Sequence, residues 1–213
     1  MASIKSQGTR LRVSTTTAAA KVITAISKAS PAVVTSAAHG LANGDIVVIT
    51  GVVGMTEVND RAFVVANQAA NTFELKGVDS TNYTTYASGG SATPQTMTQV
   101  GGVTSFNGLG SGEATEIDTT DLASPAKEYD TGLQDFGTAQ VALKTITDTG
   151  QTRMRALKAS ASAAAFSLTL SDGSVAAFRA FVRSFSLDVG GPDNIVTGQA
   201  SLRVTGAPSG DFV

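Results

Sequence analysis

The chain is 213 residues long, carries a net charge of -2 and contains no cysteine. These facts exclude a disulfide framework, thiolate chemistry and wholesale electrostatic capture of nucleic acid, which needs a basic excess to displace counterions. Charged residues are only 15% of the chain, against a usual ~25%, so two readings stand: a secreted β-protein with a Ser/Thr-rich face, or a chain that covers much of its surface with copies of itself.

The start, "MASIKSQGTRLRV", has basic residues but no apolar h-region after them, so no signal peptide is expected. The longest apolar run, "DIVVITGVVGM", is too short and too broken by glycine to span a bilayer. "TRLRVST" alternates, with Leu11 and Val13 pointing one way and Arg10, Arg12 and Ser14 the other, which predicts a half-buried strand. "TTTAAAKVITAISKASP" is small and polar and reads as a linker.

From Val22 to Thr96 short apolar strands alternate with turn signals: "VVTSAAHGLANGDIVVIT", "RAFVVAN", "NTFELKGV" and "TNYTTYASGGSA". Asn43-Gly44-Asp45 supplies a turn, since Asn and Gly tolerate positive φ. Four or five such strands make a small barrel, with Val34, Leu41, Ile46, Val48, Phe63, Val65, Phe73 and Leu75 as its expected core. From Gln99 a second β-rich unit begins. "QVGGVTSFNGLGSG" is strand-like but glycine-laden, "EATEIDTTDL" is acidic, "ASPAKEYDTGLQDFG" has no clear period and reads as a long loop, and "TAQVALKTIT" is a strand.

"DTGQTRMRALKASASAA" predicts the one helix: Asp148 or Thr149 caps it, and Met154, Leu157 and Ala161 fall at helical spacing. "AFSLTL" then puts Phe166, Leu168 and Leu170 on one strand face, and Ser171-Asp172-Gly173 turns the chain. "VAAFRAFVRSFSLDV" sets Phe178 and Val182 on one face and Phe181, Phe185 and Leu187 on the other, so it is either buried on both faces or bulged midway. In "IVTGQASLRVTG", Val196, Ala200, Leu202 and Val204 face in, while Thr197, Gln199, Ser201, Arg203 and Thr205 face out.

Reactive chemistry finds little support. His39 is the only histidine; a histidine base needs a nucleophile or an orienting carboxylate, and a metal site needs more ligands. Asp45 and Glu57 are near in sequence, but a His-Gly before a strand reads more naturally as a turn. "NGLGSGEAT" lacks the Gly-Lys-Ser/Thr of a phosphate loop. The acids Glu113, Glu116, Asp118, Asp121, Glu128, Asp130 and Asp135 do not provide the fixed separation a hydrolase pair needs, nor a calcium-loop pattern, and read as a solvated or subunit-facing surface. No Ser sits in Gly-x-Ser-x-Gly. The Asn82 sequon carries little weight without a secretion signal. Neither an enzyme nor a cofactor is expected.

The helix "GQTRMRALKAS", the hairpin "FSLTLSDGSVAAFRAFVRSFSLDVG" and the strand "NIVTGQASLRVTGAPS" resemble the major tail tube proteins of long non-contractile-tailed phages, with Phe178-Arg179-Ala180-Phe181-Val182 as the Phe-Arg-small-aromatic-Val segment. The resemblance covers about Gln99 to Gly210, with Leu11 to Ser14 as a first strand. The segment "SPAVVTSAAHGLANGDIVVITGVVGMTEVNDRAFVVA" resembles a small β-barrel of phage tail proteins and is similar to part of ubiquitin-activating enzymes; activating chemistry fails for want of a cysteine and a nucleotide site. In that pattern His39 belongs to a conformational turn.

The resemblance implies a mainly β fold: a β-sandwich or partial barrel with one α-helix over 1–21 and 97–213, completing an inter-subunit β-barrel in a ring, plus an inserted small β-barrel domain over 22–96 on the outer surface, removable without loss of tube assembly. It implies a structural virion protein of the phage tail, assembled in the host cytoplasm as stacked homo-hexameric rings that conduct DNA without sequence-specific binding. Tape measure, tail-tip and tail-terminator proteins would be partners, and no membrane is involved. Asp121, Lys127, Glu128, Tyr129, Asp130 and Asp135, in the loop Ala123 to Gly137, would stack rings. Glu113, Glu116, Asp118, Thr197, Gln199 and Ser201 would face the bore or a ring joint, and Arg12 and Arg203 would then need acidic partners. The alternative is a phage or cell-surface adhesion module binding host glycan, against which stands the scarcity of barrel aromatics beyond Tyr83 and Tyr86.

Overall fold

A computed structural model describes residues 3–212. The first strand, β1 (Arg10–Thr17), buries Leu11 and Val13 as the alternation requires. The segment expected to be a linker is instead drawn into the sheet. β1 runs to Thr17, and β2 (Lys21–Val22) and β3 (Ala25–Ile26) each find a partner strand. Two-residue strands carry no period of their own, so nothing in the sequence announces them.

The barrel continues through β4 (Ala32–Thr35), β5 (Ile46–Val53), a 3-10 turn at Thr56–Val58, β6 (Arg61–Ala66), β7 (Thr72–Leu75) and β8 (Ser88–Gln99). Gly44, at φ +90°, turns the chain into β5, and Asp45 N–H donates to the Ala42 carbonyl at 3.1 Å. Val34, Leu41, Phe63, Val65, Phe73 and Leu75 share one buried cluster with Val47 and Ile49. Ile46 and Val48 do not join it. β5 is apolar on both faces, and its other face packs Ile46 and Val48, with Ala62 and Val64 of β6, against Ala165 and Ala177 of the following unit.

The second unit contains β9 (Val103–Asn107), β10 (Ala114–Asp118), β11 (Tyr129–Gln134), β12 (Thr138–Lys144), α1 (Thr149–Ser160), β13 (Ala163–Thr169), β14 (Val175–Asp188) and β15 (Thr197–Gly210). Asp148 caps the helix, accepting from Gln151 N–H at 3.1 Å. Buried Gln151 donates from Nε2 to the Gly101 and Lys144 carbonyls at 2.9 and 2.8 Å, tying α1 to the turn between β8 and β9 and to the end of β12. β14 is bulged between Val182 and Ser184. The bulge returns Phe185 to the core side, opposite the exposed Phe181, so the sequence grouping of Phe181, Phe185 and Leu187 on one face breaks between Phe181 and Phe185.

One antiparallel sheet carries the order β3-β4-β7-β6-β5-β8-β1-β13-β14-β15-β12-β9, with β2 attached to β8. Its half from β1 to β9 wraps a core in which Phe166 and Phe178 stack at 5.6 Å, under Met154 and Leu157 of α1. Each such buried ring contributes ~1.5–3 kcal/mol relative to exposure.

The barrel is not hung on linkers. β8 pairs with β5 along Ser88–Gln95 and with β1 along Gln95–Gln99, so one strand serves both halves, and the boundary drawn at 96 falls within it. Polar contacts flank the apolar joint. Arg61 Nε donates to the Ala207 carbonyl at 3.1 Å and Ser209 Oγ to the Ala62 carbonyl at 2.8 Å. Arg179 pairs with Asp60 at 3.0 Å and Lys76 with Asp211 at 2.9 Å. Gly77, at φ +70°, lies so close to the Gly210 carbonyl that a Cβ would overlap it.

Candidate assembly interface

β10 and β11 form a separate two-stranded sheet that leaves the main sheet between Asn107 and Thr138. Their pairing sets Asp118 opposite Tyr129 and Ile117 opposite Asp130. The expected long loop Ala123–Gly137 thus contains a strand, the six residues of β11. A fully exposed strand needs no apolar alternation, which is why its period was invisible. The two strands have no extensive contact with any other element. The strands and the connection between them nevertheless carry Ile117, Leu122, Tyr129 and Leu133 in exposed positions, with Leu122 and Leu133 almost wholly free. A two-stranded hairpin is marginally stable alone in water, so local bonds matter.

Asp121 Oδ1 accepts from Ala123 N–H and Ser124 N–H at 2.8 and 2.9 Å, and Asp118 Oδ1 from Thr120 N–H at 3.0 Å. The Ala123 N–H leads the bonds that lower the pKa of Asp121, and Thr120 does the same for Asp118. Both therefore shape the tip of the arm. Asp130 accepts from its neighbour Thr131 N–H at 2.7 Å. At the base, Asp135 accepts from Gly137 N–H at 2.9 Å and pairs with Arg203. The Gly137 bond first, then Arg203, holds the Asp135 carboxyl below its ordinary range. Arg203 thus has an acidic partner; among the described residues Arg12 has no salt bridge. Glu113, Glu116, Lys127 and Glu128 stand at the surface of the same arm.

Thr197, Gln199 and Ser201 lie elsewhere, on the outward face of β15. Register sets Lys144, Ala142 and Gln140 of β12 opposite them, with Ser105 and Asn107 of β9 beyond. This face is a carpet of hydroxyls and amides with Lys144 at one end and the neutralised Arg203 at the other. The structure therefore separates the six proposed bore residues into two groups, three on this face and Glu113, Glu116 and Asp118 on the arm.

β9 ends the sheet: it pairs with β12 alone. Across from it, Ile4, Leu11, Leu168 and Leu170 face Val103 and Phe106 over an open groove. The strand Val103–Asn107 has neither a charge nor a proline to guard that edge. Sequence reading missed this edge and the exposed apolar residues of the arm. The signal for the latter was present as Ile117 between acids and Leu133 between Gly132 and Gln134.

His39 is buried and structural. Leu41 N–H donates to its Nδ1 at 3.0 Å, so Nε2 carries the proton, facing the Thr72 carbonyl at 3.3 Å. Its ring meets Phe73 edge-on at 5.2 Å. Neither nearby acid serves it. Asp45 accepts from Ala42 N–H at 2.8 Å. Glu57 accepts from Thr84 at 2.7 and 2.9 Å; its burial acts to raise its pKa, but these bonds prevail and lower it. Tyr83 is engaged by Arg61 at 3.0 Å, and Tyr86 by the Gly89 carbonyl at 2.9 Å. Among the described residues no three His, Asp or Glu side chains gather as a metal site, and no helix is long and apolar enough to cross a membrane.

Residues 29–95 match the family model of the ubiquitin-activating enzyme E1 FCCH domain, and residues 76–177 match that described as phage tail tube, TTP, lambda-like. The two matches overlap over residues 76–95, which lead from the end of β7 through most of β8, the strand both halves share. Among solved structures, a chain from the virion of a native gene transfer agent particle is similar at 15% identity and a TM-score of 0.45, over 54% of this chain and 88% of that one, a likeness too low to carry weight. No curated protein matches the chain. The match over residues 76–177, just under half of the chain, is thus to the lambda-like phage tail tube proteins, and it supports a structural protein of a phage-type tail.

Proposed function

We propose that the chain polymerises as stacked hexameric rings into a tail tube that conducts DNA, assembling in the host cytoplasm. The observation that carries this reading is the unguarded β9 edge. An open edge leaves backbone N–H and C=O groups unpaired, and copies arranged in a closed ring satisfy them. A head-to-tail contact that closes gives a ring, and one repeating along an axis gives a filament.

The acidic arm bridges rings, through Lys127, Glu128, Tyr129 and Asp130 with the exposed leucines, while Asp121 and Asp135 hold its tip and base. The β12–β15 face with Thr197, Gln199 and Ser201 lines the bore. Its near-neutral surface neutralises few phosphates and lets DNA slide. Glu113, Glu116 and Asp118 belong to the ring joint. The barrel sits outside the tube, and the tape measure, tail-tip and terminator proteins meet the tube inside and at its ends.

The test replaces residues 114–134 by a short loop and leaves Asp135 with its Arg203 contact. Negative-stain microscopy should show tubes from the parent protein and only folded, unassembled subunits from the variant. Normal tubes from the variant would refute the bridging role.

A further inference from the structure

We infer that the acidic arm of one copy docks in a basic groove between α1 and β14 of a neighbouring copy. The inference rests on assembly through the arm and names the surface that receives it. The groove is lined by Lys158, Ala161, Phe181, Val182, Arg183 and Arg203. Its floor is apolar: Phe181 is 37% exposed, although its neighbours on the strand, Ala180 and Val182, are buried. Its rim is cationic. The helix contributes Lys158, with Arg155 one turn earlier and no acid, while Arg153 turns away to donate to the Ser14 carbonyl at 3.0 Å. Arg155 stands over the Phe185 ring at 5.0 Å, and Lys158 Nζ reaches the Phe185 carbonyl at 3.4 Å, so both gather beside the β14 bulge. Arg183 extends from that bulge and has no acid within salt-bridge distance among the described residues.

The arm is the complement of this surface. Between Glu113 and Asp135 it carries seven carboxylates and one ammonium, Lys127. Ile117, Leu122, Tyr129 and Leu133 are exposed among those charges, so both partners offer apolar contact framed by opposite charge. Within its own copy the arm makes no extensive contact with β14 or α1, and its base is pinned by Asp135. Opposite potentials steer encounter and fix register more than they add affinity, while burial of the leucines and Phe181 supplies the holding energy. Salt must therefore slow docking of two such exposed charged surfaces.

The absence of cysteine permits a clean test. Two proteins, Ala161→Cys in the groove and Leu122→Cys on the arm, are mixed at polymerising concentration and oxidised mildly. Disulfide-linked dimers should exceed by at least tenfold those formed when the groove variant is replaced by Ala69→Cys on the barrel. Lys158→Glu with Arg183→Glu should abolish the link and tube growth while leaving Tm unchanged. Glu116→Lys with Glu128→Lys on the arm should restore growth in that background. Equal yields from Ala161→Cys and Ala69→Cys, or normal tubes from the Lys158→Glu/Arg183→Glu protein, overturn the docking. So does tighter retention of a DNA duplex than of a second copy by the groove. If arm-less protein forms tubes as well, the assembly reading itself falls; if only arm-less protein fails, that reading survives without this receptor.

Discussion

The barrel and the arm are both departures from the six strands that wrap the second core, yet they treat their apolar residues in opposite ways. The barrel buries Phe63, Phe73 and Leu75 in its own core, then spends its second face, Ile46 and Val48, on Ala165 and Ala177. Every polar group at that joint that matters has a partner: Arg61 with Ala207, Asp60 with Arg179, Lys76 with Asp211. The arm buries nothing, and holds Leu122 and Leu133 in water. Side chains of one chemistry are thus committed inside the subunit in one place and left uncovered in the other. A removable ornament would have shown the reverse at the joint.

The hardest way to break this comparison is to excise residues 22–96. The cut takes the partners of Thr16 and Thr17 on β8 and uncovers Ala165 and Ala177. The remainder should lose its cooperative transition and aggregate, by circular dichroism and size exclusion; a folded, tube-forming remainder would restore the view of a detachable module. Next, Phe73→Ala, wholly inside the barrel, should cost about 3–5 kcal/mol. Because the halves share β8 and the apolar joint, a single denaturation transition should shift as one. Two separate transitions would show that the joint is weak.

The arm predicts the contrary behaviour. Leu122→Ser with Leu133→Ser should change monomer stability by no more than about 0.5 kcal/mol, as exposed positions do, while tube growth measured by light scattering disappears. The smallest effect belongs to pH. The Asp135 pKa is lowered by the Gly137 N–H and by Arg203, so its contribution is complete above the unfolded value of about 3.9. It is lost as pH falls through the lower, folded value. Hydrogen exchange at Gly137 should quicken below that point while exchange in β15 does not, and Arg203→Ala should move the onset upward.

What could be read in the sequence was what burial writes there. Asp148 and the Met154/Leu157 spacing announced α1, and the inward Ala200, Leu202 and Val204 announced β15, because each buries one face against a core. Two kinds of element were illegible. Strands buried on both faces have no alternation, so Ile46 and Val48 were assigned to the barrel core when they face the joint. Strands buried on neither face have none either, which hid β11 within a supposed loop. The bulge that returns Phe185 to the core adds one residue and shifts the period in mid-strand. Of the candidate interface, the acids were legible as charge; the groove proposed to receive them joins α1 to β14 across some 25 residues of chain, a proximity that no local pattern encodes.

The central claim is that a single copy ends in an unpaired strand which identical neighbours cover. Electron cryomicroscopy of the polymerised protein tests it most directly. The account predicts a hollow tube of sixfold symmetry in which Val103–Asn107 lies against the next subunit and the hydroxyl and amide face of β12 and β15 lines the bore. A map in which that edge meets only solvent, or in which the particles lack a bore and a sixfold axis, would contradict it.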